Sequence, residues 1–207
     1  MTMRIRAFCL FSMVVLLCGL TQVALADDIT FTEGNHQLMD EQNILFQSSQ
    51  MGMLVMGFTT NTNTEVDFSS TTDTLIAHGG QATISAADGE INDLTITTPG
   101  HLFAGFVFNA FKPVNNDDLE VTVVDGNGMH YTFQYGQTNG NNFLTIVDSS
   151  GTDIQSITID SAGGFQSLKQ YRIGEISGVG LTTPEPSSLM LLGTGILGAL
   201  GFRRRLK

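Results

Sequence analysis

The chain has 207 residues, and its charge is unevenly distributed. Residues 27–183 contain three Lys or Arg against nineteen Asp or Glu, a net charge of −16. Nucleic-acid affinity comes mainly from cations that neutralise phosphates, so this composition excludes a nucleic-acid-binding protein. Both cysteines, Cys9 and Cys18, lie near the N-terminus, so the remaining residues have no disulfide, no cysteine zinc site and no thiol nucleophile.

The first 26 residues have the pattern of a secretory signal peptide. Two arginines precede an apolar run, and the small residues Ala24 and Ala26 stand before a predicted cleavage that makes Asp27 the new N-terminus. An uncleaved membrane anchor is the alternative. The apolar run of about 14 residues is shorter than the roughly 20 that span a bilayer, so we expect a signal helix cut by signal peptidase and export across the inner membrane.

Short segments of alternating apolar and polar residues, separated by Gly, Asn and Asp, follow along the chain. The predicted strands are 51–58, 65–68, 81–86, 91–98, 102–109, 119–123, 129–135, 143–147, 154–159 and 171–177. Residues 38–46 fit a short helix or a strand. This spacing, without sustained helical periodicity, predicts an all-β fold over residues 27–180, an antiparallel β-sandwich of the jelly-roll or lectin-like kind.

The clearest hairpin joins residues 119–123 to 129–135 through a turn rich in Asp, Asn and Gly. Asp125 and Asn127 of this turn are also candidate calcium ligands, because hard cations bind carboxylate and amide oxygens. The turn lacks the distal bidentate Glu of a full calcium loop, so we prefer the interpretation as a tight hairpin turn. Calcium is the one cofactor left open, and no other cofactor is predicted.

No catalytic constellation emerges from the sequence. His36, His78, His101 and His130 lack metal-ligand spacing, and neither a Gly-x-Ser-x-Gly nucleophile nor a phosphate-binding glycine loop occurs. We therefore predict no catalytic residue and no metal site. The many carboxylates leave a glycosidase pair as an alternative.

The sequence also suggests roles for polar and aromatic stretches. The polar stretches Thr59–Thr64 and Ser69–Thr74 predict surface loops or edge coating. Phe103, Phe106, Phe108 and Phe111 form a dense aromatic group, in which Phe106 and Phe108 share a face and predict core; an aromatic binding surface is the alternative.

Residues 181–207 have three parts in a fixed order. An extended Pro-Glu-Pro segment precedes an apolar stretch at 189–202, which is short for a transmembrane helix, and a basic cluster that stays on the cytoplasmic side follows. The Pro-Glu-Pro residues are Pro184, Glu185 and Pro186, and the basic residues are Arg203, Arg204, Arg205 and Lys207.

This tripartite tail resembles the PEP-CTERM sorting signal of Gram-negative bacteria. The resemblance implies recognition by an exosortase, cleavage near Pro-Glu-Pro, a transient C-terminal membrane helix, and release or re-anchoring at the cell surface or in the extracellular matrix. It also implies an association with exopolysaccharide and biofilm. The middle residues resemble a sequence type that recurs among such proteins, in segments such as Gln81–Gly89 and Gln170–Ile173.

The sequence thus predicts a non-catalytic extracellular or cell-surface protein with extracellular polysaccharide as its partner. Two molecular roles stay open. One is a lectin-like module that binds carbohydrate with polar loop residues together with Tyr131 or Tyr135. The other is a structural matrix protein that self-associates. An extracellular polysaccharide hydrolase is the alternative from another class.

Overall fold

The computed structural model describes residues 29–178 except residues 116, 150, 152 and 153. The predicted signal peptide and sorting tail lie outside these residues. The strands are β1 Ile29–Glu33, β2 Gln42–Leu45, β3 Gln50–Gly52, β4 Leu54–Thr59, β5 Glu65–Ser69, β6 Leu75–Ala77, β7 Thr83–Ala86, β8 Ile91–Thr97, β9 His101–Phe103, β10 Gly105–Pro113, β11 Leu119–Asp125, β12 His130–Tyr135, β13 Phe143–Asp148, β14 Ile154–Ile173 and β15 Ile176–Gly178. All described pairings are antiparallel. Within the described ranges, no helix has the length and hydropathy of a membrane span.

The 20-residue strand β14 belongs to two sheets. Its N-terminal half pairs with β11 on one edge and β8 on the other, and its C-terminal half pairs with β10 on one edge and with β7 and β2 on the other. The front sheet has the order β12-β11-β14-β8-β5-β4, and the back sheet has the order β1-β13-β10-β14-β7-β6-β3. A strand that changes sheets makes the corner of the sandwich.

Two glycines make this change of sheet possible. Gly164 has φ +67°, and a side chain there would run into Glu90. A Cβ on Gly163 would lie 2.7 Å from the Cβ of Asp117. The bend of β14 therefore requires glycine at both positions, on conformational grounds at Gly164 and on steric grounds at Gly163.

The core lies between the inward faces of the two sheets. Phe46, Phe68 and Tyr171 form a buried aromatic cluster whose ring centroids lie 4.9–6.3 Å apart. Phe106 and Phe108 are fully buried, which confirms that they belong to the core. Removal of one such ring would cost about 3–5 kcal/mol of folding free energy.

The predicted all-β sandwich is confirmed, but several predicted strands are wrong in extent. Residues 51–58 form two strands because the chain bends at Met53 as it passes from the back sheet to the front sheet. Residues 102–109 are also divided, at Ala104, whose N–H donates to Glu175. Residues 171–177 are not one strand: 171–173 end β14, and β15 follows after Gly174, whose N–H donates to Gly105.

Two strands, β1 and β6, were not predicted, and the ambiguous residues 38–46 contain strand β2 rather than a helix. The predicted hairpin is confirmed as β11–β12, with Val124 opposite His130.

Candidate functional site

The predicted turn residues Asp125 and Asn127 lie at the tip of the β11–β12 hairpin. Asp125 is fully buried, and its Oδ1 accepts hydrogen bonds from the N–H groups of Asn127, at 2.9 Å, and Met129, at 2.7 Å. The hydroxyl of Tyr131 lies 3.4 Å from Oδ2. The carboxylate thus holds the turn together, as an Asp at this position commonly does. Calcium binding at this turn stays an alternative to the tight hairpin turn that we prefer.

The tyrosines of the lectin-like hypothesis do not form an exposed platform. Tyr135 is buried and Tyr131 is partly buried, on the inward face of β12. Phe133 lies between them on the same face and stacks on Phe31 of β1 with ring centroids 5.1 Å apart. These rings close the edge of the sandwich between β1 and β12, because both strands end a sheet there.

The four histidines lie on separate elements. The His36 N–H donates to the Thr145 hydroxyl at 3.0 Å, His78 follows β6, His101 lies in β9 and His130 lies in β12. Within the part of the chain that the structure describes, no three His, Cys, Asp or Glu side chains are placed to hold a metal ion.

The front face, defined as the outward side chains of β8, β11, β12 and the N-terminal half of β14, carries a row of carboxylates. Asp160 lies in register with Asp93 on one side and Glu120 on the other. Burial raises the pKa of the Asp160 carboxyl, and the charges of Asp93 and Glu120 raise it further. Gln134 continues the row and donates to Glu120 at 2.5 Å.

The carboxylate of Asp93 accepts hydrogen bonds from the loop that precedes β6. Its two oxygens accept five hydrogen bonds of 2.5–3.1 Å from the hydroxyls of Ser70, Thr71 and Thr72 and from two backbone N–H groups of the loop. Burial alone would raise the pKa of Asp93, but these hydrogen bonds outweigh it and lower the pKa to about 2. The stretch Ser69–Thr74 is therefore a loop organised around a carboxylate, rather than a simple surface coating.

The back face, defined as the outward side chains of β7, β10, β13 and the C-terminal half of β14, has a different composition. Asn109 of β10 lies in register with Lys169 of β14. Its amide donates to Asn141 Oδ1 at 2.8 Å and to Gln170 Oε1 at 3.5 Å. The ammonium of Lys169 lies over the Phe111 ring, 3.6 Å from its centroid. An aromatic ring, an ammonium group and three amides thus meet at one place.

Gln170 occupies this place through a β-bulge. Between the pairs Val107–Arg172 and Asn109–Lys169, β14 contains one residue more than β10. Gln170 is exposed and has φ +51°, the left-handed region that side chains rarely adopt. Bulges redirect side chains at the edges of functional sites, and strained backbone persists where the surroundings hold it in place.

The cations of the described chain are concentrated on this side. Lys112, Lys169 and Arg172 are its Lys and Arg residues, and they lie in β10 and the C-terminal half of β14. Arg172 is paired with Glu41 at 2.8 Å and also contacts Asn35. Lys112 is exposed, has φ +58°, and donates its N–H to Gly140 in the loop that carries Asn141.

Sequence reasoning did not identify this cluster. The alternation of residues along β10 places Asn109 and Phe111 on one face, and the scarcity of cations makes Lys112 and Lys169 conspicuous in an acidic chain. These two signals could have marked β10 as special. The contribution of Gln170 could not have been found, because it depends on the register between two distant strands.

A cavity of about 320 Å³ opens at the other end of β10. Its lining includes Leu38, Met39, Gly105, Val147 and Glu175. The volume lies at the lower end of the range for small-molecule sites, but none of the described residues that line the cavity is aromatic.

Residues 182–205 match the model of the PEP-CTERM protein-sorting motif. No curated protein matches the sequence of this chain. Among solved structures, the chain is similar to CpGH89CBM32-4 of Clostridium perfringens, in complex with GlcNAc-alpha-1,4-galactose, at 18% identity over 47% of this chain and 76% of that one, with a TM-score of 0.35. It is also similar to the family 32 CBM of C. perfringens NanJ in complex with galactose, at 11% identity over 66% of this chain and 99% of that one, with a TM-score of 0.33.

The assignment of the fold as a sandwich follows from the strand pairings and not from these similarities.

The residues that match the sorting motif contain the Pro-Glu-Pro segment at 184–186 and the apolar stretch, and they end within the basic cluster. The sequence prediction of a sorting signal is therefore confirmed. The chain therefore carries a PEP-CTERM protein-sorting motif behind an all-β domain, and this motif indicates an exported protein that exosortase sorts to the cell surface.

Proposed function

We propose that this protein is a non-catalytic, polysaccharide-binding component of the extracellular or cell-surface matrix, and that it binds through the back face. The observation that carries the proposal is the bulge at Gln170, which holds an exposed amide beside Asn141 and the Phe111–Lys169 pair. The exopolysaccharide and biofilm setting is part of the proposal, and it is supported by the sorting motif.

The amides suit the recognition of sugar hydroxyls. Asn141 and Gln170 both direct a carbonyl oxygen towards Asn109, so the NH₂ donors of both side chains point away from it. Both residues are exposed. Planar amides in fixed orientations can donate to hydroxyl oxygens with little loss of side-chain freedom, because their positions are already set before binding.

The aromatic ring supplies the apolar part of the site. Phe111 is partly buried, and the ring is fixed in the sheet opposite Ser167. The C–H faces of a sugar ring can pack on such a surface while the hydroxyls at its edge meet the amides. The site lies on an open sheet face, which favours an internal segment of a polysaccharide over a chain end.

The experiment is saturable binding of the full chain, kept in non-ionic detergent, to a panel of immobilised polysaccharides. Two variants at one position test the site. Gln170→Gly removes the amide and suits the positive φ, so we expect affinity to fall about fivefold or more while stability is kept or improved. Gln170→Asn keeps an amide and tolerates this φ, so it should retain most of the affinity.

Equal binding by the wild type and Gln170→Gly would overturn the assignment of the site, and no binding by the wild type would overturn the proposed function. Chelation by EDTA should leave binding unchanged, because no carboxylate row lies on the back face. Loss of binding in EDTA would instead favour calcium at Asp125 and Asn127.

The hydrolase alternative has one observation in its favour. Asp93 and Asp160 are cross-strand neighbours whose pKa values are shifted in opposite directions, as in glycosidase pairs. However, a nucleophilic Asp93 would have to give up the hydrogen bonds that its carboxylate accepts from residues 70–72. Release of reducing sugar by the wild type and its loss in Asp160→Asn would support the enzyme.

Processing completes the proposal. Signal peptidase would cut between Ala26 and Asp27, and exosortase would cut near Pro184-Glu185-Pro186 while the apolar stretch spans the membrane transiently. The basic residues Arg203–Arg205 and Lys207 would hold the C-terminus on the cytoplasmic side until then. Mass spectrometry of the exported protein would give both ends, and a mature N-terminus other than Asp27 would contradict the first step.

A further inference from the structure

We infer that the back face is specific for an acidic polysaccharide, whose carboxylate groups bind the ammonium groups of Lys169 and Lys112. This inference rests on the proposed function, since it names the class of polysaccharide that the same site takes. The supporting observations are the position of the two lysines on the back face and the contact of the Lys169 ammonium with the Phe111 ring.

Charge separation across the sandwich is the first argument. The front strands β8, β11 and β12 contain no Lys or Arg, whereas Lys112 and Lys169 lie in the strands of the back face. An anionic polymer approaching this acidic protein is repelled by the front face. On the back face, a carboxylate of the polymer would meet lysines. On the front face, it would meet a row of Asp and Glu side chains.

The state of the two ammonium groups is the second argument. Among the described residues, the recorded ion pair joins Arg172 to Glu41, and Lys112 and Lys169 have no Asp or Glu oxygen within 4.0 Å. Lys169 instead lies over Phe111. A cation–π contact uses one side of the ammonium group and leaves N–H donors for a carboxylate, and it restricts a side chain that would otherwise lose much freedom on binding.

The backbone at Lys112 is the third argument. Lys112 follows Ala110 at an interval of two, so alternation in a regular strand would direct it inward, as Ala110 is. Its φ of +58° departs from strand geometry, and the side chain is exposed. A lysine in the left-handed region is less stable than a glycine at the same position. An exposed cation kept at that cost, next to the loop of Asn141, fits a binding role.

An anionic membrane surface is the competing partner for a small basic face. The attraction to an anionic membrane grows with the number of Lys and Arg near the surface, and stable binding needs several of them. Two unpaired lysines on a strongly acidic domain are too few, whereas they can match the spaced carboxylates of one polymer.

The test compares polygalacturonate with its methyl-esterified form, which has the same backbone without the charge. The full chain in non-ionic detergent, with EDTA present, should bind polygalacturonate at least about tenfold more tightly, and the difference should shrink as salt rises. Lys169→Gln and Lys112→Gly should each weaken polygalacturonate binding about three- to fivefold, and by a larger factor than they weaken binding of the methyl ester. Lys169→Arg should retain the affinity, since Arg also keeps the charge over the ring.

Glu120→Gln on the front face is the matched control, and it should bind polygalacturonate at least as well as the wild type. Equal affinity for the charged and esterified polymers would overturn the inference and leave the proposed function standing. Failure to bind any polysaccharide on the panel would overturn both. Binding to phosphatidylglycerol vesicles that Lys169→Gln and Lys112→Gly weaken more than they weaken polygalacturonate binding would overturn the inference in favour of a membrane surface.

Discussion

The outward faces of the front and back sheets differ in the way they use polar groups. On the front face, Asp93 has both oxygens occupied by a loop, and Glu120 is bonded to Gln134, so these carboxylates organise the protein itself. On the back face, Gln170 and Lys112 are exposed in left-handed conformations that side chains rarely adopt. The comparison suggests that the front face contributes mainly to folding, and that part of the back face is maintained at a cost in stability.

The largest expected effect comes from the bend that separates the two faces. Gly164→Ala should lower the free energy of unfolding by about 3 kcal/mol. The added methyl group collides with the side chain of Glu90, and the positive φ of this position is unfavourable for alanine. Gly128→Ala is the control: it has φ +80° but open space around its Cβ, so it should cost only about 1 kcal/mol. Urea unfolding measures both, and equal costs would show that the bend is not sterically constrained.

The next effect concerns the anchor of the front face. Asp93→Asn should cost about 2 kcal/mol at pH 7, since the hydrogen bonds to the loop lose their charge. The pKa of Asp93 falls from 3.8 to about 2 on folding. Its stabilising contribution is therefore complete above about pH 4 and is lost as the pH falls towards 2.

Urea unfolding at pH 7 and at pH 2 checks this expectation. The stability of the wild type and that of Asp93→Asn should converge at the lower pH. A gap that stays the same at both values would show that the charge of Asp93 is not what holds the loop.

A smaller effect of opposite sign is expected at its neighbour. Folding raises the pKa of Asp160, so its ionised form is disfavoured and lowers stability at neutral pH. Asp160→Asn should raise the free energy of unfolding at pH 7 by less than about 1 kcal/mol, and the gain should vanish at a pH where the carboxyl is protonated in both states. A loss of stability at pH 7 would mean that Asp160 is engaged in the sheet as Asp93 is.

The smallest effect tests the open edge of the front sheet. The amide of Gln50 donates to the carbonyl of Met56 and accepts from its N–H, both at 2.8 Å, where β2 no longer covers β4. Gln50→Ala should cost about 0.5–1 kcal/mol, because water replaces these bonds.

The rate of aggregation should respond to Gln50→Ala more strongly than the free energy of unfolding does. The uncovered edge lies beside the exposed side chains of Leu54 and Met56, so light scattering should show faster association in Gln50→Ala than in the wild type. Gln50→Glu, which adds a charge at the edge, should associate more slowly than Gln50→Ala.

The local parts of this fold were predictable from the sequence, and the parts that depend on distant residues were not. The β11–β12 hairpin follows from alternation on both sides of one turn. Strand β14 was predicted to end at 159, because Ser161–Gly164 resembles a turn when the partners on either side are unknown. The bulge at Gln170 depends on its register with β10, and the low pKa of Asp93 depends on a loop some twenty residues away.

The position of β14 in the chain has a consequence for export. Both sheets have this strand in their interior, yet it is the last long strand, ending at Ile173, and the sorting motif begins at residue 182. A chain that crosses a membrane N-terminus first therefore cannot complete either sheet until nearly all residues before the sorting motif have crossed. Folding of the sandwich and arrival of the sorting signal at the membrane would fall at almost the same moment, so the domain stays unfolded while it must pass through a narrow channel.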